Sequence, residues 1–104
     1  MSPWTPFTRE NVQKLPDGLI GVFQLAKEEA KIAYVGRADD NLRDRLMEML
    51  DRGYTQFQWV QLPWTRETYE MQCRLYHHGG GRKRLENAEH PHPPEGKLWK
   101  CTVS

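Results

Sequence analysis

The stretch GVFQLAKEEAKIAYVGRADDNLRDRL, residues 21–46, decides the fold. Two short apolar segments, residues 19–26 and 32–36, flank the charged run Lys27, Glu28, Glu29. Both alternate as strands do, and their closeness predicts an antiparallel hairpin. Setting Leu25 opposite Ile32 carries Phe23 to Tyr34 and Gly21 to Gly36. Phe23 and Tyr34 then share a face with Cβ atoms about 5 Å apart, whereas a slip of one residue would put them on opposite faces.

Beyond Gly36 the run RADDNLRDRLMEML begins as a helix should, with Asp39 or Asp40 placed to accept from the amides of the first turn. Leu42, Leu46, Met49 and Leu50 follow at helical spacing and make one apolar stripe. At about 100° per residue, Arg43 and Arg45 flank that stripe. Gly53, after Asp51 and Arg52, suits a left-handed exit. A phenol at a strand end followed by a flanking guanidinium is a pairing that suits a phosphate.

Outward from this unit, residues 1–17 read as an extended start and a short helix capped by Thr8, closed by Leu15-Pro16-Asp17-Gly18. Trp4 and Phe7 are expected to cover the sheet. TQFQWVQL, residues 55–62, alternates and predicts a third strand, which Pro63 ends. Thr65 is expected to cap a second helix running to about His77. On it Tyr69, Cys73 and Tyr76 form one stripe, with Glu70 and His77 on its flank. Gly79-Gly80-Gly81 breaks the helix, Arg82-Lys83-Arg84 follows, and a turn-rich, Pro-rich segment leads to a short strand or apolar tail at residues 98–103.

Taken together, these residues resemble the GIY-YIG nuclease superfamily. Gly21-Val22-Phe23 stands where the first tripeptide belongs, Tyr34-Val35-Gly36 matches the second, and Asn41, Leu42, Arg45 and Leu46 make an NLxxRL run with the arginine in place. Glu70 and Asn87 look like the family's metal-binding glutamate and downstream asparagine, so the resemblance covers roughly residues 18–90. It implies one α+β domain over residues 1–104: a three-stranded antiparallel sheet flanked by helices, in the order helix, strand, strand, helix, strand, helix. It further implies a divalent-metal-dependent endonuclease that hydrolyses phosphodiester bonds, of DNA sooner than RNA. Glu70 would hold Mg²⁺ or Mn²⁺, Tyr34 would handle the water, Arg45 would clamp the phosphate, and Asn87 would support the site. Arg37, Arg43, Arg82, Lys83 and Arg84 are the candidate phosphate contacts.

Each residue also has a plainer role available. Glu70 can pair with Arg74, Arg45 with Asp44 or Glu48, and Tyr34 can simply pack on Phe23. Two positions depart from the family. Phe23 stands where tyrosine is usual, and a phenyl ring neither donates, accepts nor ionises. Met49 stands where some relatives carry histidine, leaving His77 as a substitute proton carrier. The family's glutamate and asparagine are also usually closer together than Glu70 and Asn87. The alternative is a catalytically silent GIY-YIG-like module that binds nucleic acid or a protein partner.

Composition sets bounds. A chain of 104 residues holds one compact domain. No apolar run approaches a membrane span, MSPWTPF is no signal peptide, and two cysteines suit a reduced, cytoplasmic setting. With a formal net charge of +1, nucleic-acid binding must rest on a local patch, or on a targeting protein partner, more than on overall electrostatics. One further reading is zinc: Cys73 and His77 lie four apart on a helix, and His90, His92 and Cys101 follow, although His90-Pro91-His92 is a poor second pair.

Overall fold

The computed structural model describes residues 1–29 and 31–102. The elements are β1 (Thr5–Pro6), α1 (Arg9–Gln13), β2 (Gly21–Glu28), β3 (Lys31–Ala38), α2 (Leu42–Glu48), β4 (Gln56–Gln61) and α3 (Thr65–His78), then a 3-10 turn at Gly81–Lys83. The architecture is α+β, with a four-stranded antiparallel sheet in the order β1-β4-β2-β3. The expected three-stranded sheet is therefore one strand short. β1 is only two residues long and contains Pro6, which cannot donate to a ladder and suits a sheet edge.

The hairpin forms, but two residues out of the expected register. Leu25 pairs with Tyr34, Phe23 with Gly36, and Gly21 with Ala38. The cause lies in the charged run: Lys27 and Glu28 belong to β2, which pairs as far as Glu28 with Lys31, so the turn falls later than the apolar boundaries indicate. A shift of two preserves faces. Phe23 and Tyr34 stack as diagonal neighbours, with ring centroids 6.1 Å apart at 24°. Phe23 lies across Gly36, where a Cβ would collide with the ring.

Alternation along the strands builds two cores. Phe23, Leu25 and Phe57 face α1 and α2, packing with Val12, Leu42 and Leu46. Val22 and Val35 face the other way, against Tyr76 of α3 and Leu85. Phe7 joins the first core, tilted on Phe57 at 5.4 Å, while Trp4 is half-buried. The sheet thus sits between α1 with α2 and α3.

The helix ends refine the sequence reading. Thr8 caps α1, accepting from the Asn11 amide at 3.1 Å. For α2 the N-cap position is Asn41, not Asp39 or Asp40; Asp40 accepts from the Asn41 amide and Asp39 pairs with Arg37. The regular helix ends at Glu48, and the chain leaves through left-handed Asp51 and Gly53. Thr65 is the first residue of α3, and the N-cap is Trp64, which makes no side-chain cap. No strand forms over residues 98–102, and Val103 lies outside the described residues. No helix among the described residues is long and apolar enough to cross a membrane.

Candidate functional site

Because β3 is an edge strand, its outer N–H and C=O groups need partners other than a fifth strand. Asn87 supplies them. Its Oδ1 accepts from the Val35 amide at 3.0 Å, and its Nδ2 donates to the Val35 carbonyl at 2.7 Å. The Glu86 amide donates to the Ala33 carbonyl at 2.7 Å, continuing the attachment. The segment after α3 is thereby held against β3, and an open cleft of about 980 Å³ lies between it and α2.

Tyr34 and Gly36 contribute from β3, Arg45, Glu48 and Met49 from α2 and the residue following it, and Asn87 to His92 from the attached segment. Phe23 also reaches the cleft. Tyr34 is half-buried, stacked between Phe23 and Tyr54, with the Tyr54 ring 6.1 Å away. Arg45 is largely exposed, 3.7 Å from Glu48, so it is loosely held and available. Arg52, also on the cleft, is exposed. Asp39, Asp40, Asp44, Glu48 and Glu89 line the cleft too, so carboxylates outnumber its arginines, Arg37, Arg45 and Arg52. Attraction for a polyanion is therefore local to individual guanidinium groups.

The cleft brings together Tyr34, Arg45, Asn87, Phe23 and Arg37, but not Glu70, His77 or the remaining cations. Glu70 lies beside Arg66, at 3.8 Å, and not beside Arg74. The α3 residue that reaches the cleft is Gln72, which is buried. Two steps along a helix turn about 200°, so residues 70 and 72 point to nearly opposite sides and cannot both serve one cleft. Gln72 Oε1 accepts from Arg37 Nη1 at 2.8 Å, and its Nε2 donates to the Val35 carbonyl at 3.4 Å.

Arg37 is a structural hub more than a phosphate contact. It is 13 % exposed, paired with Asp39 at 3.1 Å, and stacked 5.3 Å from the Tyr69 ring centroid. Arg43 lies outside the cleft, bonded to Asp17 at 3.0 Å. Arg82, Lys83 and Arg84 are exposed on and just after the 3-10 turn, also outside the cleft lining.

Five carboxylates line the cleft, but none comes from α3, and among the described residues no three of them converge as ligands for one ion. Mg²⁺ and Mn²⁺ want hard oxygen ligands, and Gln72, the α3 side chain in the cleft, is neutral and already bonded to Arg37. Of the cleft carboxylates, Asp39 pairs with Arg37, Asp40 and Asp44 accept from Asn41, Glu89 lies against His92, and Glu48 stands 3.7 Å from the exposed Arg45. Among the described residues, the one group of three or more convergent metal-ligating side chains is Cys73, His90 and Cys101.

Several groups here titrate away from their usual values. Burial, then hydrogen bonding to Glu86, pushes the Tyr54 phenol up to about 12. Burial, then a hydrogen bond with Cys73, does the same for Tyr69. Burial also raises the Cys73 thiol, to about 11. Glu86 is lowered, first by its bond to Lys27 and also by the one from Tyr54.

Sequence reasoning missed Gln72.

The fold and site define a small α+β domain with an arginine-bearing cleft at the open edge of its sheet. The chain belongs to the family described as a domain of unknown function, DUF7508, whose profile matches residues 1–77. No curated protein and no solved structure matches it.

Proposed function

We propose that this protein is a GIY-YIG-like module that binds the phosphodiester backbone of nucleic acid without cutting it. The observation that carries the reading is Gln72: the α3 side chain in the Tyr34–Arg45 cleft is a neutral amide held by Arg37. With Phe23 in the first tripeptide, the cleft lacks both a hydroxyl at that position and a carboxylate from α3. Binding needs neither. Arg45 and Arg52 offer donors to phosphate oxygens, and the Tyr34 phenol offers one more. Such contacts fix a backbone without reading bases. The exposed Arg82, Lys83 and Arg84 extend the same chemistry beyond the cleft.

Fluorescence anisotropy with single-stranded, duplex and branched DNA, and with RNA, tests this over a range of salt. The expected result is sequence-tolerant binding whose affinity falls with salt, with Arg45→Ala lowering the slope of log K against log salt by about 1. Binding indifferent to salt and to Arg45→Ala, or no binding even in low salt, would overturn the reading and favour a protein partner.

A second reading, a metal-dependent DNA endonuclease, draws on Tyr34, Arg45 and Asn87 lining one cleft. Its metal would have to be taken up by the cleft's own acids, Asp39, Asp40, Asp44, Glu48 or Glu89, and not by a carboxylate of α3. Glu70, the residue expected to supply it, sits on the other side of α3 beside Arg66.

A further inference from the structure

Cys73 on α3, His90 and Cys101 each place a ligand atom within 4.8 Å of the other two. His77, one helical turn after Cys73, brings its Nε2 to 3.1 Å from His90 Nε2. We propose that Cys73, His77, His90 and Cys101 form a tetrahedral zinc site that clips the C-terminal segment onto α3.

The donor set and spacing suit the ion. Zinc binds thiolate at about 2.3 Å and imidazole at about 2.0 Å, which in a tetrahedron separates two sulfurs by about 3.8 Å and two nitrogens by about 3.3 Å. The imidazole separation already matches, and Cys73, His90 and Cys101 hold their ligand atoms within 4.8 Å of one another. Cys73 and His77 are an i, i+4 pair, which share one side of a helix. His90 is already oriented as a ligand, because its Nδ1 lies 2.7 Å from the Pro91 carbonyl. A proton on Nδ1 donated to that oxygen leaves the Nε2 lone pair facing His77, the outer hydrogen bond that ligating histidines characteristically make. Tyr76 packs edge-on against both rings, with centroids 5.3 Å from each, and limits their rotation.

A structural need points the same way. Residues 88–102 contain no helix or strand, and ordering such a segment carries a large backbone entropy cost. Its anchors include buried Pro91, His90 against Tyr76, and Trp99 against Tyr69, with the last two centroids 6.4 Å apart. Coordination would tie α3 to the beginning and the end of the segment at once. Since residues 87–92 line the cleft, the clip would also fix one of its walls. The zinc site stands or falls independently of nucleic-acid binding, because metal content is measured without any nucleic acid.

Metal analysis of the full chain, purified in reducing buffer after growth with zinc, is the test, followed by Co²⁺ titration of the stripped protein. The expected result is one zinc per chain. Cobalt should give the intense ligand-field absorption of a tetrahedral ion together with thiolate-to-metal charge transfer. Cys101→Ser and His90→Ala should each lower zinc affinity by more than about 100-fold, and His77→Ala by about 10- to 100-fold. Glu70→Ala and His92→Ala should leave it unchanged. Cys101 lies outside every helix and strand and His77 is exposed, so these variants keep the test valid if Cys73→Ser fails to fold, with circular dichroism as the check. No bound metal in the wild type, a Cys73–Cys101 disulfide formed instead, or zinc held equally well by Cys101→Ser would overturn the proposal.

Discussion

Replacing Asn87 with alanine isolates what this buried side chain does. In the fold it is 8 % exposed and makes two bonds to one residue, accepting from the Val35 amide and donating to the Val35 carbonyl. Alanine removes both. The carbonyl keeps a weaker partner in Gln72 at 3.4 Å, but the amide loses its acceptor in the interior. Leaving one buried donor unsatisfied costs about 1–3 kcal/mol, and the second, partly replaced bond adds about 0.5–1 kcal/mol. The expected loss is therefore about 1.5–4 kcal/mol, a large share of a small domain's stability. At about 4–8 °C per kcal/mol, the midpoint should fall by at least about 6 °C. Urea unfolding with an unchanged m-value checks the energy, and hydrogen exchange at the Val35 amide checks the place. Asn87→Asp should not rescue stability, because a carboxylate oxygen would then face the Val35 carbonyl. A cost below about 0.5 kcal/mol for Asn87→Ala would refute the edge-capping role.

Other perturbations probe separate parts of the molecule. Arg37→Lys should destabilise by about 1–3 kcal/mol in urea unfolding, because one ammonium cannot reach Asp39 and Gln72 while stacking on Tyr69. Gly36→Ala should cost about 1–3 kcal/mol through collision with the Phe23 ring, and Phe23→Leu in the same chain should recover part of it in a double-mutant cycle. On the acid side, Glu86 is depressed by Lys27, so the stability it contributes is present above the unfolded carboxylate value of about 4.3 and is lost as pH falls through its lower folded value; Glu86→Gln should flatten that limb. On the alkaline side, Tyr54 is raised to about 12, so its contribution is complete below about pH 10 and is lost towards pH 12; Tyr54→Phe should reduce the slope of stability against pH there.

Much of the fold is legible in local chemistry. Alternation in residues 21–38 and 56–61 places the three longer strands, and the spacing of Leu42 and Leu46 places α2, because burial on one face demands those periods. The register was less legible because Lys27 and Glu28 look like loop yet extend β2 at its exposed end. β1 escaped because two residues, one of them proline, carry no period. At the site, Tyr34 and Arg45 could be placed from their flanking elements, since a hairpin followed directly by a helix fixes both. Glu70 and Gln72 could not be ranked in the same way. Which of two polar positions faces the sheet edge depends on how α3 is rotated, and its apolar residues surround more than one side. The cysteine and histidine cluster needs the path of residues 88–101, which no periodic pattern specifies.

Whether the cleft cuts what it holds is decided by incubating the wild-type protein with supercoiled plasmid and branched DNA in Mg²⁺ or Mn²⁺, beside Glu70→Ala and Gln72→Glu. The wild type and Glu70→Ala should retain DNA equally and leave it intact. Nicking by the wild type that disappears in Glu70→Ala would contradict a cleft that binds without cutting.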